Sequence, residues 1–194
     1  MVYLDQAATS FPKLEKVKQA VMSAFDVAGN ANRSSNMDSS RLIFEARRNI
    51  AQFFGLSDFH RVILNGGNTE SLNTCIKGIL KEKDHVITTY AEHNSVLRPL
   101  YELEEKGIIT LTICAPYLED IKNHIQKNTR MVIMTHSSNV TGEIFDVDLI
   151  GQYCKECGVL FMVDAAQSAG HIPVSMENID VLCFSGHKGL LGIG

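Results

Sequence analysis

Short aliphatic runs alternate with amphipathic segments along most of the chain, from about residue 60 to its end. The runs carry Val, Ile, Leu and Met at consecutive positions, a pattern typical of parallel strands that helices cover on both faces. They predict strands at Arg61–Asn65, His85–Thr89, Ile108–Cys114, Met131–His136, Val159–Val163 and Val181–Ser185. Strands that alternate with helices predict an α/β fold with a mainly parallel sheet.

The amphipathic segments between the strands predict helices with recognisable ends. Thr69 and Ser95 have side chains suited to N-caps, so each is expected to begin a helix. Gly158 follows another periodic segment and is expected to end it, because glycine accepts the left-handed conformation common at helix C-termini. These helices would cover the sheet.

The beginning of the chain follows a different pattern. One amphipathic segment begins near Pro12, which suits the first turn of a helix, and a second ends at Gly55. Residues 1–60 are therefore predicted to form an N-terminal helical arm, and residues 61–194 the α/β domain. The glycine-rich, apolar end of the sequence predicts that the chain is a piece of a longer protein, cut inside a domain.

Composition narrows the function classes. Hydrophobic residues make up 45% of the 194 residues and charged residues 21%, values typical of a folded globular protein. The formal net charge of -4, without a basic stripe, argues against nucleic-acid binding. There is no long uncharged apolar run and no signal-peptide pattern, and five scattered cysteines indicate reduced thiols. A cytoplasmic protein without a membrane span is expected.

Polar residues follow most of the predicted strands. Ligands of open α/β sheets bind beyond the carboxyl ends of the strands, where such residues meet. The segments are Asn65–Thr69, Tyr90–Asn94, Ser137–Gly142, Asp164–Gln167 and Ser185–Lys188. Together they predict a site for one anionic, aromatic, carbonyl-bearing ligand.

Two of these segments suit particular parts of such a ligand. Asn65–Thr69 contains two glycines before a helix, which fits a phosphate cradle, although Thr69 could equally serve only as a helix cap. Asp164 ends an apolar strand, where a protonated pyridinium nitrogen would satisfy its carboxylate. The alternative is an aspartate that caps the next turn. The residues alone leave both questions open.

Lys188 and His93 are the candidate catalytic side chains. A lysine in a packed site can form an imine with an aldehyde, whereas most lysines are simply solvated. The position of Lys188 beside Ser185 and His187, after an apolar strand, favours a function. His93 could lie against an aromatic ring or be a turn histidine without a role, and its neighbours in the sequence do not decide between these interpretations.

Cys154 and Cys157 have the spacing of a CxxC motif. No second pair and no paired histidines accompany them, so no metal site is expected. Cys154 belongs to the apolar stripe of a predicted helix, and both cysteines are interpreted as structural. A redox or zinc module is the third alternative.

Several segments carry a resemblance to a known family. They begin at Tyr3 (YLDQAAT), Glu92 (EHNSVLRPL), Asp164 (DAAQSAGH) and Ser185 (SGHK). In this order they resemble the class V aminotransferase-fold enzymes, the pyridoxal-phosphate group that includes cysteine desulfurases and selenocysteine lyases. The resemblance covers nearly the whole chain.

The resemblance implies a role for each candidate residue. Lys188 would hold pyridoxal 5′-phosphate as an imine and move the proton at the substrate Cα, Asp164 would pair with the ring nitrogen, and His93 would stack on the ring. Gln167 and Asn139 would lie beside the phenolic oxygen. The phosphate would be held by Gly67, Asn68, Thr69, Ser185 and His187.

The resemblance also implies an activity. A pyridoxal-phosphate enzyme that acts on a small amino acid is expected, and removal of sulfur from L-cysteine to give alanine in the full-length protein is the leading hypothesis. Class V transamination and β-elimination are the alternatives within the family. A homodimer and a sulfur-acceptor protein are the expected macromolecular partners.

Relatives carry further elements beyond the point where this sequence ends. They include a small C-terminal domain, an arginine for the substrate carboxylate and, in desulfurases, the persulfide-forming cysteine. None of the five cysteines here matches that position, so the chain by itself is expected to be inactive. The competing hypothesis is a non-catalytic half-domain that self-associates through an unfinished sheet.

Overall fold

The computed structural model describes residues 2–29 and 37–193. These residues form two compact units. The first contains the described residues of 1–65 together with those of 186–194, and the second is Gly66–Ser185. No helix in the described part of the chain is long and apolar enough to cross a membrane.

The second unit is built on a parallel five-stranded sheet. Its strands lie in the order β2-β1-β3-β4-β5, and every neighbouring pair is parallel. This confirms the predicted α/β fold. The strands are β1 (Asp84–Thr89), β2 (Ile109–Cys114), β3 (Thr129–Thr135), β4 (Leu160–Asp164) and β5 (Val181–Cys183).

The strand order decides where a ligand can bind. The chain runs from β1 outward to β2 and then returns to form β3 on the other side of β1. At such a reversal the connections leave the sheet in opposite directions, and a crevice opens beyond the carboxyl ends of the two strands. The segments that follow β1 and β3 are therefore placed for binding.

Four helices of the second unit flank its sheet and bury an aliphatic core. They are α3 (Asn68–Ile79), α4 (Asn94–Glu105), α5 (Leu118–His124) and α6 (Val147–Cys157). Leu72 and Ile76 of α3 and Leu100 of α4 are fully buried with Ile133 of β3. Their spacing on each helix forms a single apolar stripe, which is what holds the helices on the sheet.

The first unit contains two helices with little buried surface. They are α1 (Glu15–Ala24) and α2 (Asp38–Phe53), and Ala51 is the one described residue of either helix that is fully buried. Because α1 begins at Glu15, Pro12 lies before the helix and not in its first turn as predicted. The amphipathic pattern of these helices is correct, but their apolar faces stay largely exposed.

The predicted strand at Arg61–Asn65 is wrong. The Asp58 carboxylate accepts a hydrogen bond from the His60 N–H at 2.9 Å and begins a 3-10 turn at Phe59–Arg61. No strand in the described residues pairs with the aliphatic segment that follows, and Ile63 is 72% exposed. An aliphatic run becomes a strand only where a neighbour supplies hydrogen bonds, so the pattern alone was insufficient.

Both predicted N-caps lie inside their helices. Gly67 is the N-cap of α3, and Thr69 is the second residue of that helix. His93 is the N-cap of α4, and its side chain accepts a hydrogen bond from the Ser95 N–H. The hydroxyl groups of Thr69 and Ser95 are therefore not used as caps.

Two helical glycines form a matched pair for testing the packing of the second unit. A Cβ at Gly151 in α6 would overlap the Asn178 carbonyl oxygen and lie 3.0 Å from the Phe161 ring, whereas a Cβ at Gly78 in α3 would meet nothing within 4 Å. We predict that Gly151→Ala lowers the free energy of unfolding by about 1–3 kcal/mol, because backbone must shift to make room. Gly78→Ala should raise it by up to about 1 kcal/mol through helix propensity.

Urea unfolding followed by circular dichroism measures both changes. Since both substitutions add a methyl group to a helical residue, propensity alone would stabilise both proteins. A Gly151→Ala protein as stable as the Gly78→Ala protein would contradict the close contact between α6 and the Asn178 backbone.

Candidate active site

Asp164 ends β4 with its carboxylate buried. The residue is 3% exposed, and its Oδ1 accepts hydrogen bonds from the Asn68 side-chain amide at 2.8 Å and from the Ala166 N–H at 2.9 Å. The second bond is the turn contact that the sequence offered as an alternative. The first comes from the opening residue of α3, so the carboxylate also joins two elements of the candidate site.

Glu92 is a second buried carboxyl in the same part of the unit. Its Oε1 accepts hydrogen bonds from the Thr89 hydroxyl at 2.6 Å and from the Thr135 N–H at 2.8 Å, at the ends of β1 and β3. Oε2 is buried without a partner among the described residues. Burial, helped by the nearby Asp164 charge, raises the pKa of Glu92 to about 8. Glu92 is therefore mostly protonated at neutral pH.

Thr69, Ser95 and His93 form a chain of hydrogen bonds. The Thr69 Oγ1 lies 3.2 Å from the Ser95 Oγ, which lies 2.6 Å from the His93 Nδ1. The sequence predicted Thr69 and His93 as site residues and Ser95 only as a helix cap. The structure brings all three together where α3 and α4 begin.

The N-terminus of α3 suits an anion. Gly67 precedes the helix with a φ of +149°, a backbone conformation that favours glycine, and a Cβ there would meet nothing within 4 Å. The N–H groups of the first helical turn and the positive end of the helix dipole favour a phosphate at such a position. The preceding Gly66 N–H is already bonded to the Glu70 Oε2 at 2.7 Å. The phosphate cradle at Asn65–Thr69 stays a prediction, and the N–H groups of the first turn of α3 are its candidate donors.

The remaining predicted residues of the second unit lie after β3, β4 and β5. Gln167 is half-buried, three residues beyond Asp164, and Ser185 is 7% exposed at the end of the unit. Asn139 is exposed in the loop after β3. In that loop the Ser138 hydroxyl accepts hydrogen bonds from the Val140 N–H at 3.2 Å and the Thr141 N–H at 3.2 Å, which fixes the turn.

His187 and Lys188 belong to the first unit, where an N-terminal segment holds them. The His187 carbonyl oxygen accepts hydrogen bonds from the Thr9 hydroxyl at 3.0 Å, the Ser10 hydroxyl at 3.0 Å and the Lys13 ammonium at 2.9 Å. The Ser10 N–H adds a fourth bond at 3.1 Å. These bonds fix the peptide that leads into Lys188. Burial, together with the positive charges of Lys188 and Lys13, lowers the pKa of the His187 imidazole.

Glu92, Ser95 and Lys13 are among the contacting residues that were not predicted as site residues. Glu92 stands next to His93 in a strand-end segment, so its position was visible in the sequence, but its burial was not. Ser95 was recognised only for its helix-capping preference. Lys13 carries no signal at all, because its partner is 174 residues away in the chain.

The cysteines show no metal-binding arrangement. Among the residues that the structure describes, no three His, Cys, Asp or Glu side chains are grouped to hold a metal ion. Cys154 is fully buried, and this burial raises the pKa of its thiol to about 12. A thiol that stays protonated is a poor metal ligand and a poor nucleophile.

Comparison with known sequences identifies the family. A model described as aminotransferase class-V matches residues 2–194. The chain therefore belongs to the aminotransferase class-V family, as the resemblance predicted. It is 36% identical over 212 residues to the cysteine desulfurase IscS of Buchnera aphidicola subsp. Acyrthosiphon pisum (strain 5A), an alignment that covers 100% of this chain and 52% of that protein.

A second relative and two solved structures agree with this assignment. Cysteine desulfurase IscS of Plasmodium falciparum (isolate 3D7) is 34% identical, over 99% of this chain and 38% of its own length. The apo cysteine desulfurase of Thermococcus onnurineus NA1 superposes with a TM-score of 0.87 at 32% identity, over 98% of this chain and 50% of that one. The structure of SspA in complex with cysteine superposes with a TM-score of 0.88 at 28% identity, over 97% of this chain and 58% of that one. The chain spans about half the length of the curated relatives it matches.

The buried Glu92 carboxyl makes the stability of the protein depend on pH. Its pKa is about 8 in the folded state against an ordinary value of 4.5, so the folded state binds the extra proton between these values. Stability should therefore fall as the pH rises from about 4.5 to about 8, by up to about 5 kcal/mol at 1.36 kcal/mol per pH unit. Glu92→Gln, which imitates the protonated form, should remove this part of the fall.

Urea unfolding at a series of pH values measures the difference between the two proteins. Glu105→Gln is the matched control, because Glu105 lies exposed on α4. It should follow the wild-type pH dependence. A Glu92→Gln protein that loses stability with rising pH as steeply as the wild type would show that Glu92 is ionised in the folded protein.

Proposed function

We propose that the protein is a pyridoxal-phosphate enzyme that removes sulfur from L-cysteine and leaves alanine. Its family and the cysteine desulfurases among its relatives support this activity. The observation that carries the proposal is the buried Asp164 carboxylate at the end of β4, bonded to Asn68 at the start of α3. A negative charge in that position suits the protonated nitrogen of a pyridine ring.

The residues of the second unit fit the cofactor. Asp164 would bind the ring nitrogen, His93 the face of the ring and Gln167 its phenolic oxygen. The first turn of α3, with Thr69, would bind the phosphate, helped by Ser185. When bound, pyridoxal phosphate supplies an electron sink for the carbanion formed at the substrate Cα.

Glu92 is a second carboxyl near Asp164, and its protonation state affects how much negative charge surrounds Asp164. Two ionised carboxylates close together in a dry site repel each other, so one of them takes up a proton. Here the proton resides on Glu92, whose pKa burial raises to about 8. A negative charge on Asp164 would then hold a proton on the ring nitrogen of the bound cofactor.

Lys188 is the proposed attachment point and proton carrier. Its Nζ would hold the cofactor through an imine and, once released, remove the proton from the substrate Cα. The four hydrogen bonds on the preceding His187 carbonyl fix the backbone that leads into Lys188. A fixed backbone reduces the freedom that the lysine loses when it reacts.

The sulfur-accepting thiol is not assigned to the buried cysteines. Burial raises the pKa of Cys114 to about 11 and that of Cys154 to about 12. Hydrogen bonding to Cys75, together with burial, raises the pKa of Cys183 further. These thiols remain protonated and are unsuited to attack sulfur. None of the five cysteines matches the position of the family's persulfide-forming cysteine, so the proposal places that thiol elsewhere in the full-length protein. It also includes a homodimer, a sulfur-acceptor protein and a cytoplasmic location.

The direct test is labelling of Lys188. Borohydride treatment of the purified protein with pyridoxal phosphate should leave a reduced adduct on Lys188, detected by peptide mass spectrometry. Lys188→Ala should lose the adduct. In the full-length protein, with dithiothreitol to reduce the persulfide, it should lower the formation of alanine and sulfide from L-cysteine by at least about a hundredfold, because the proton carrier is gone. Lys16→Ala, an exposed lysine of α1, is the control and should behave as wild type.

Each alternative predicts a different result. Pyruvate and ammonia as products would indicate β-elimination, and a keto acid without sulfide would indicate transamination. An adduct confined to other lysines, or full turnover in Lys188→Ala, would refute the assignment of Lys188.

A further inference from the structure

Two hydroxyl groups that the sequence predicts as helix caps contact each other. Thr69 is the second residue of α3 and Ser95 the second residue of α4, and their oxygen atoms lie 3.2 Å apart. Ser95 also lies 2.6 Å from the His93 Nδ1. The three side chains therefore connect the predicted phosphate site to the histidine predicted to stack on the ring. We call this chain Thr69–Ser95–His93 the hydroxyl relay.

The direction of the hydrogen bonds in the relay follows from one backbone contact. The His93 Nδ1 accepts the Ser95 N–H at 3.1 Å, so Nδ1 carries no proton of its own. The Ser95 hydroxyl must then donate its proton to Nδ1 in the 2.6 Å contact. Its oxygen is left to accept the Thr69 proton. The neutral His93 ring therefore carries its proton on Nε2.

We propose that Ser95 is a positioning residue that transmits occupancy of the phosphate site to the His93 ring. This inference rests on the proposed function, since it needs a phosphate at Thr69. Thr69 has a single hydroxyl proton, and a phosphate oxygen is a stronger acceptor than a serine oxygen because it is charged. When phosphate binds, the Thr69 hydroxyl therefore donates its hydrogen bond to phosphate and no longer to Ser95.

The change reaches His93 through the one proton of Ser95. Once Thr69 donates to phosphate, a lone pair of its oxygen faces Ser95 in place of its proton. That lone pair then competes with the His93 Nδ1 for the Ser95 hydroxyl proton. The hydroxyl bond to the ring weakens, while the bond from the Ser95 N–H remains. The tautomer of His93 thus stays the same, and the hydrogen bonding at Nδ1 changes.

Nitrogen-15 NMR of the histidine ring nitrogens, in the cofactor-free protein, tests this relay. The chain has seven histidines, and His93→Gln identifies the His93 signals. Inorganic phosphate is titrated first, and pyridoxal phosphate follows in a second sample. In the wild type the Nδ1 signal should move on addition of phosphate while Nε2 keeps its proton. In Ser95→Ala that movement should shrink at least about fivefold, because the variant lacks the hydroxyl that links Thr69 to the ring.

Two further variants separate the relay from a general effect on the helix. Ser95→Thr keeps the hydroxyl and should restore the wild-type response. Glu105→Gln changes an exposed residue near the other end of α4, outside the relay and the predicted site, and it should also respond as wild type. Equal responses in Ser95→Ala and the wild type would overturn the inference, and so would a His93 ring whose Nδ1 carries the proton.

The proposed function and the relay can fail separately. If Lys188 takes up pyridoxal phosphate and the wild-type His93 signals do not move, the relay is wrong and the function stands. If Lys188 takes up no pyridoxal phosphate, the proposed function fails. The relay is then supported or overturned by the response of the His93 Nδ1 signal to inorganic phosphate. A signal movement that disappears only in Ser95→Ala supports the inference.

Discussion

The hydrogen bond from Asn68 to Asp164 joins the start of α3 to the end of β4. An unpaired carboxylate with only 3% exposure would be costly, and a bond to such a charged group contributes about 1.5–3 kcal/mol. This bond fixes where α3 begins. Thr69 follows Asn68 directly, so the contact of Thr69 with Ser95, and through it with His93, depends on the same anchor.

A second constraint is the distribution of charge between Glu92 and Asp164. Glu92 is bonded to Thr89 and Thr135 at the ends of two central strands, which keeps it inside the unit. Because its pKa is raised to about 8, it contributes hydrogen bonds without a second negative charge. Protonation of Glu92 therefore lowers the negative charge around the buried Asp164 carboxylate, which suits the pairing with a ring nitrogen that we propose.

The sequence was sufficient for the sheet and insufficient for contacts between distant elements. Runs of aliphatic residues predicted β1 to β5. In β1, β3 and β4 nearly every residue is buried, as expected for a strand covered on both faces, whereas the edge strand β2 is partly exposed. The segment at Arg61–Asn65 has the same pattern and forms no strand, since pairing depends on a neighbour that composition cannot reveal. Likewise, Thr69 and Ser95 are residue types that favour the N-cap position, but Gly67 and His93 occupy the N-cap positions of α3 and α4.

In the candidate site, too, the sequence predicts local features but not contacts between distant residues. The position of Asp164 after an apolar strand predicted its burial, and the structure confirms that burial. Its bond to Asn68 could not be predicted, because the two residues are 96 positions apart. The same holds for Lys13 and His187. Such contacts arise from the folded arrangement of distant segments, so neither residue type nor local spacing predicts them.

A crystal structure of the protein grown with pyridoxal phosphate would test the proposed function most directly. We predict continuous electron density between the cofactor and the Lys188 Nζ, and a ring nitrogen within hydrogen-bonding distance of the Asp164 carboxylate. Cofactor joined to a different lysine, or a ring nitrogen that faces a neutral group away from Asp164, would contradict the proposed function.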